Sequence, residues 1–294
     1  MLQKRWLIFA ITTTVFWGLW GALTSIFASE ALPSTVVYSI WAVTMIIPCY
    51  ISLTLIKWKL DVDKKSIIFG STIGFLGCGG QMILFKAIDI GPAYLIFPII
   101  SLSPLVTIFM SMFFLKERAT KLGVLGIALA LVALPLFEYS PAGDEANTGY
   151  LWFFLALIIM AAWGLQAYCM KFSNAHMSAE SIFFYMTITA LALVPVALLM
   201  TDFNEKIDMS MSVLFSNAAI QILNALGALC LVYAFRYGKA IIVAPLTNAG
   251  SPLITSVLVI IAMSVEPSLT KTLGIVLAVV AALILAIEPE DQHA

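Results

Sequence analysis

The chain has 294 residues, 62% of them hydrophobic and 11% charged, with a formal net charge of -1. A soluble domain carries about a quarter charged residues, so this composition belongs in a bilayer. With no block of like charge there is no footprint for nucleic acid and no polybasic tail. Apolar runs long enough to cross about 30 Å of hydrocarbon, without the short alternating segments of a membrane barrel, make the expected fold all-α.

Taken in order, the first element follows Lys4 and Arg5 and runs from about 6 to 27. It is longer than the apolar core of a signal peptide and reads as an uncleaved first span. Thr13, Trp17, Trp20 and Thr24 fall on one helical stripe of it. Further spans are expected at about 35–56, 66–87, 93–115 and 121–137. The third holds Gly70, Gly74 and Gly77, at spacings that let helix backbones approach. It also holds Gln81 and, near its end, Lys86, which either snorkels outward or serves as counter-charge to an anionic solute. The fourth carries "PIISLSP", Pro98 to Pro104, with Ser101 and Ser103 between the prolines.

An acidic, turn-rich linker, "EYSPAGDEANTG", follows. Beyond it, spans are expected at about 150–171, 179–200, 213–235, 240–262 and 270–287. The sixth carries Trp163, Gln166 and Met170, and the eighth Gln221 and Asn224. In the ninth, "PLTNAGSP" sets Thr247, Asn248 and Ser251 between Pro245 and Pro252. Glu117 and Glu266, placed alike after the fourth and ninth spans, read as caps of the helix that follows each. Cys49, Cys78, Cys169 and Cys230 all lie in apolar runs, so neither a disulfide framework nor a metal site is expected, and no cofactor is implied. His176 in a loop and His293 in the tail have no placed nucleophile or metal partner, which argues against an enzyme.

Basic residues orient these spans, because short cytoplasmic loops hold most Lys and Arg. With the N-terminus inside, Lys4, Arg5, Lys57, Lys59, Lys64, Lys65, Lys116, Arg118, Lys121, Lys171, Arg236 and Lys239 fall inside, and only Lys86, Lys206 and Lys271 outside. This split supports ten spans with both termini cytoplasmic.

The chain is also duplicated. "WGL" at Trp17 recurs at Trp163, "KAIDIGPAYLIFPIISLSPLVT" aligns with "YAFRYGKAIIVAPLTNAGSPLIT" with one inserted residue, and "LGVLGIALALVAL" matches "LGIVLAVVAALIL". Residues 1–137 thus form one five-span unit, 138–149 an outer linker, and 150–294 a second unit. Five is odd, so the second copy crosses upside down. The charge swaps accordingly: "KWKLDVDKK" has four lysines inside, whereas its counterpart "TDFNEKIDMSM" has one outside. Charge and similarity agree on an inverted 5+5 repeat.

Proline in a span frees a carbonyl one turn earlier, which in lipid must be met by protein, water or solute. Paired interruptions in inverted halves are the usual pointer to a transporter's site. An intramembrane amide either bonds across to another helix or faces a polar cavity. No Asp or Glu lies clearly at the centre of a span, so the usual carboxylate for proton coupling is not evident.

The ten-span plan, the duplication, "KAIDIGPA" with "PIISLSPLVT", "LKER", and "APLTNAGSPLIT" with "VEP" resemble the drug/metabolite transporter superfamily, specifically its EamA-like members. The resemblance covers nearly the whole chain. It implies a multi-pass carrier of a bacterial-type inner membrane, its cavity lined by Trp17, Trp20, Gln81, Ser101, Ser103, Trp163, Gln166, Asn224, Thr247, Asn248 and Ser251. It further implies a small polar organic solute, such as an amino-acid-like compound or a sugar, usually moved outward. A sugar or nucleoside uptake permease is the alternative on the same scaffold. An intramembrane enzyme or accessory protein fits less well, and a homodimer stays open. Aromatic walls with amides and hydroxyls, and no buried acid, suit a neutral, zwitterionic or weakly anionic solute.

Overall fold

A computed structural model describes residues 4–27, 32–91, 93–138, 150–204, 207–264 and 267–288. Among these, thirteen α-helices run in the order α1 (Arg5–Phe27), α2 (Ser34–Thr44), α3 (Ile46–Leu55), α4 (Lys64–Ile90), α5 (Ala93–Ser101), α6 (Ser103–Phe114), α7 (Lys121–Glu138), α8 (Leu151–Ser173), α9 (Ala179–Ala192), α10 (Val194–Leu199), α11 (Met211–Tyr237), α12 (Ala240–Met263) and α13 (Leu269–Ala286). Three expected spans are each split in two, at Met45, Leu102 and Leu193. Among the described residues nine segments are long and apolar enough to cross a membrane, and the shorter apolar helix Lys121–Leu136 fills the place of the fifth expected span. Lys4 Nζ donates to the Ala286 carbonyl at 2.8 Å, so the first and last helices meet on one face.

The outer surface is apolar: Leu55, Phe114, Ile261 and Leu283 are all more than 60% exposed. In water such a surface would drive aggregation; in lipid it is the solvated one. Several helix starts, where the first N–H groups lack partners, are capped by side chains. Asp63 accepts from Lys65 N at 3.0 Å and Ser66 N at 3.2 Å to start α4. Ser178 starts α9 and Ser268 starts α13 in the same way.

Glu117 and Glu288 cap across the fold. Glu117 was expected to cap the helix that follows it, but its carboxylate accepts from Ala240 N at 3.0 Å and Ile241 N at 3.1 Å, at the start of α12 in the other half. The reason is proximity: the chain after α6 runs beside the N-terminus of α12, and Glu117 is only 8% exposed there, with Lys171 Nζ 4.0 Å away. The helix after Glu117 is instead approached by Glu288, which takes Thr120 N and Oγ1, both at 2.7 Å. Glu266 lies outside the described residues.

Packing follows the duplication. α1 lies between α11 and α12, as α8 lies between α4 and α6; α4 meets α9 as α11 meets α2; and α7 pairs with α13, its own repeat counterpart. The expected glycine stripe of the third span makes this approach possible. A Cβ on Gly74 would sit 2.5 Å from Thr189 Oγ1 of α9, and Gly70 is pressed against the Tyr185 ring. The breaks at Met45 and Leu193, which precede Pro48 and Pro195, fall at matching places in the second spans of the two halves. Proline cannot donate to the preceding turn, which accounts for both.

Candidate functional site

Trp17 and Trp163 sit next to the centres of α1 and α8, and each donates its indole N–H to a carbonyl at the centre of a neighbouring 27-residue helix. Trp17 Nε1 donates to Asn224 O of α11 and Trp163 Nε1 to Gly77 O of α4, both at 3.2 Å. One turn on, each ring lies over a glycine: a Cβ on Gly227 or on Gly80 would come within 2.5 Å of the indole nitrogen. The same geometry therefore occurs twice, each time at the middle of two long apolar helices from different halves.

The next residue completes each clamp. Gly18 lets α1 approach α12, where an added Cβ would lie 2.5 Å from Ile254 Cβ and 3.3 Å from Ser251 O. Gly164 lets α8 approach α6, where an added Cβ would lie 2.5 Å from both Ser103 O and Val106 Cβ. A threonine ties each contact: Thr255 Oγ1 donates to Gly18 O at 3.0 Å, and Thr107 Oγ1 to Gly164 O at 2.9 Å. Thus "WG" pins the centre of one long helix with its tryptophan and the proline-bearing span with its glycine. Sequence alone does not single out Thr107, Thr255, Gly80 or Gly227. Their signal was available as matched positions of the repeat.

The expected site residues divide by how they spend their polar atoms. Thr247 is fully buried and its hydroxyl donates to Val243 O at 2.8 Å, while Ser251, 8% exposed, donates to Thr247 O at 2.8 Å. Both are turned onto their own helix. Asn248 is half-buried and uses its Nδ2 on Ala244 O at 2.9 Å. Gln81 and Asn224 are half-buried, and among the described residues their amides make no hydrogen bond. Gln166 lies against Gly77, so the α8 amide sits at the same level as the Trp163 clamp. Trp20 Nε1 donates to Gln221 Oε1 at 3.1 Å, and Gln221 is 3% exposed. Ser101 closes α5 and Ser103 opens α6, where Pro104 falls in the first turn. Pro98 lies within α5, its side chain outside the described ones. Pro245 and Pro252 lie inside an unbroken α12. Lys86 is exposed near the end of α4 and forms no ion pair among the described residues.

These placements bring two sets together. Trp17, Asn224 and Ser251 gather around α1; Trp163, Gln166 and Ser103 gather around α8. In each set the tryptophan-bearing helix packs on the proline-bearing span of the other half, and Lys86 joins neither by any described contact.

Residues 4–137 and 149–287 each match the EamA-like transporter family. The chain belongs to that family. Its members are membrane transporters of the drug/metabolite type, and the apolar helices make this one a multi-pass membrane protein. The chain is 30% identical over 95 residues to an uncharacterized protein of Methanocaldococcus jannaschii, a match covering 32% of this chain and 69% of that protein. That relative is thus about half as long as this chain, the size of one repeat. A solved crystal structure superposes with a TM-score of 0.77 over 96% of both chains at 17% identity, which shows the shared fold.

Proposed function

We propose that this transporter carries a small polar organic metabolite, neutral or zwitterionic, by rocking its two halves about a midplane site. One observation carries the reading: the half-buried amides of Gln81, Asn224 and Asn248 keep unspent hydrogen-bonding capacity in the span interiors, beside the tryptophan clamps. An amide there that finds no protein partner is costly unless water or solute meets it. Trp17 and Trp163 supply flat walls whose polar ends are already satisfied, so they offer apolar contact without competing for the solute's donors. Thr247 and Ser251 hold the backbone around the prolines. Ten crossings would put both termini on one side, a reading that the Lys4–Ala286 contact supports, and the basic loops favour the cytoplasm as that side.

Saturable, stereospecific uptake into liposomes tests this, with substrates chosen by the thermal stabilisation that a metabolite panel gives the purified protein. Asn248→Ala should lower such uptake at least tenfold while leaving the melting temperature nearly unchanged. Unchanged uptake in both Asn248→Ala and Asn224→Ala would remove the midplane assignment. Export is the direction the family resemblance implies, and net flux under an imposed gradient decides it.

A further inference from the structure

On the face where α1 starts and α13 ends, a cavity of about 370 Å³ opens between the loop before α4, the turn after α8 and the end of α11. Its lining includes Lys59, Asp61, Asn174, His176, Ser178 and Arg236. It is a shallow depression open to solvent, and hydrogen bonds tie its floor together. Asp61 Oδ2 accepts from Ser178 N and Ser178 Oγ, both at 2.8 Å, while Tyr185 donates to Asp61 O at 2.8 Å. Asn174 Nδ2 bridges Met170 O and Val232 O, each at 3.0 Å, joining α8 to α11. Arg236, half-buried, is aimed by one hydrogen bond to Met177 O at 3.3 Å.

The charges in this cavity do not balance. Burial raises the Asp61 carboxyl, but the hydrogen bonds from Ser178 and Ser181 outweigh it and hold the group below the usual carboxylate range. Asp61 therefore stays ionised with its acceptors spent on the start of α9, as those of nearby Asp63 are on the start of α4, which leaves one lining carboxylate beside the two cations Lys59 and Arg236. Lys59, His176 and Arg236 form no ion pair among the described residues. Positive-inside bias explains basic loops in general, but not two cations and an imidazole from three separate elements lining one depression. The repeat sharpens the contrast. Gly91 and Gly238 end α4 and α11 in the same extended conformation, so two residues earlier Asp89 is the counterpart of Arg236. The duplicated helix thus carries a base at this mouth and an acid at the opposite one.

We propose that this cavity is an anion site, taking a phosphate or carboxylate group at the mouth between the third, sixth and eighth spans. It stands on this pocket alone, so it and the midplane reading fail separately. The shared chemistry has two sources, a free solute and an anionic lipid headgroup.

The test places one cysteine in the cavity wall, Ala175→Cys, in a background without the four native thiols. Its rates with sulfonate-bearing and trimethylammonium-bearing methanethiosulfonates are normalised to a free thiol. At low salt the anionic reagent should be favoured roughly tenfold, since unit charges several ångströms away shift each rate a few-fold in opposite senses. Lys59→Gln with Arg236→Gln should abolish the preference, and size-exclusion and melting profiles confirm that this variant is folded. Inorganic phosphate should protect Ala175→Cys saturably in nanodiscs of phosphatidylcholine alone if a free anion is the ligand. Protection that appears only when phosphatidylglycerol is included assigns the site to the headgroup. Equal rates for the two reagents, a preference that survives the double variant, or protection by neither source would overturn the proposal.

Discussion

The fourth and ninth spans are copies of one sequence, yet the fourth is broken at Leu102 and the ninth runs unbroken from Ala240 to Met263. Their prolines explain the difference. In the ninth span Pro245 and Pro252 are seven residues apart, close to two full turns, so the carbonyls they free point to the same side of one helix. In the fourth, Pro98 and Pro104 are six apart, which turns the second proline about 120° away from the first. One helix cannot offer both missing hydrogen bonds to one polar side. It stops at Ser101 with a tight Leu102 N to Ile99 O bond of 3.2 Å and restarts with Pro104 in its first turn. Within it Thr247, Asn248 and Ser251 turn their donors onto Val243 O, Ala244 O and Thr247 O of the same helix, so the carbonyls of Ile241 and Asn248 that the prolines free stay on that one side. A single inserted residue thus gives the two halves unequal midplane elements on otherwise equal clamps.

The largest effect should come from breaking what the two regions share. Gly18→Val and Gly164→Val each drive a side chain into the opposing proline-bearing span, against Ile254 in one case and Ser103 O in the other. Overpacking costs roughly 1–3 kcal/mol, and contact with the Ile254 Cβ in one case and a backbone carbonyl in the other, neither of which can swing away, sets both at the upper end. Both variants should lose several degrees of melting temperature in micelles, by similar amounts. If one tolerates valine, the clamps are not equivalent.

Next in size is a contrast of sign. Pro252→Ala restores an N–H beneath the Asn248 carbonyl inside a continuous helix, and should stabilise the protein by about 1 kcal/mol, less than the soluble-helix figure because the membrane fold already re-satisfies freed groups. Uptake should fall in the same variant. Pro104→Ala removes a residue well suited to a first helical turn and should destabilise by about 0.5 kcal/mol. Melting curves of the two proteins check it, and shifts of the same sign would remove the account based on proline spacing.

How far this contrast could be read from sequence follows from what each signal reports. Hydropathy sees runs of apolar residues, so span ends at 27, 237 and 286 fall within a few residues of expectation. The splits at Met45 and Leu193 were not visible, because a span that kinks at proline stays equally apolar on both sides. Trp17 and Trp163 were legible as a matched pair, but not the receivers of their N–H groups, since Gly77 and Asn224 differ in type and share only a backbone carbonyl. Glu117 was assigned to its neighbour in sequence, whereas its partners at Ala240 and Ile241 lie in the other repeat. Caps made across an inverted repeat leave no local pattern. Polar residues such as Thr247 and Asn248 look alike in sequence; only the structure separates a buried hydroxyl spent on its own helix from a half-buried amide with capacity left.

That separation can be tested within the ninth span. Thr247→Val keeps the shape of a fully buried side chain but removes its bond to Val243 O, so it should cost about 1 kcal/mol of stability with little change in apparent affinity for the transported solute. Asn248→Ala should do the reverse. Melting temperature and transport KM measured on both proteins form the check, and parallel losses in the two would mean that the residues act as one unit.

The smallest effect should come from the indole N–H groups. Trp17→Phe and Trp163→Phe keep most of each ring's apolar surface over Gly227 and Gly80 but delete the donor to Asn224 O and Gly77 O. Hydrogen bonds between membrane helices average about 0.6 kcal/mol, so each variant should melt within two or three degrees of the parent. The double variant should lose the sum, since each clamp bonds a different pair of helices. A larger combined loss would show that the two clamps are coupled through the proline-bearing spans between them, and the unequal fourth and ninth spans would then be the elements that carry that coupling.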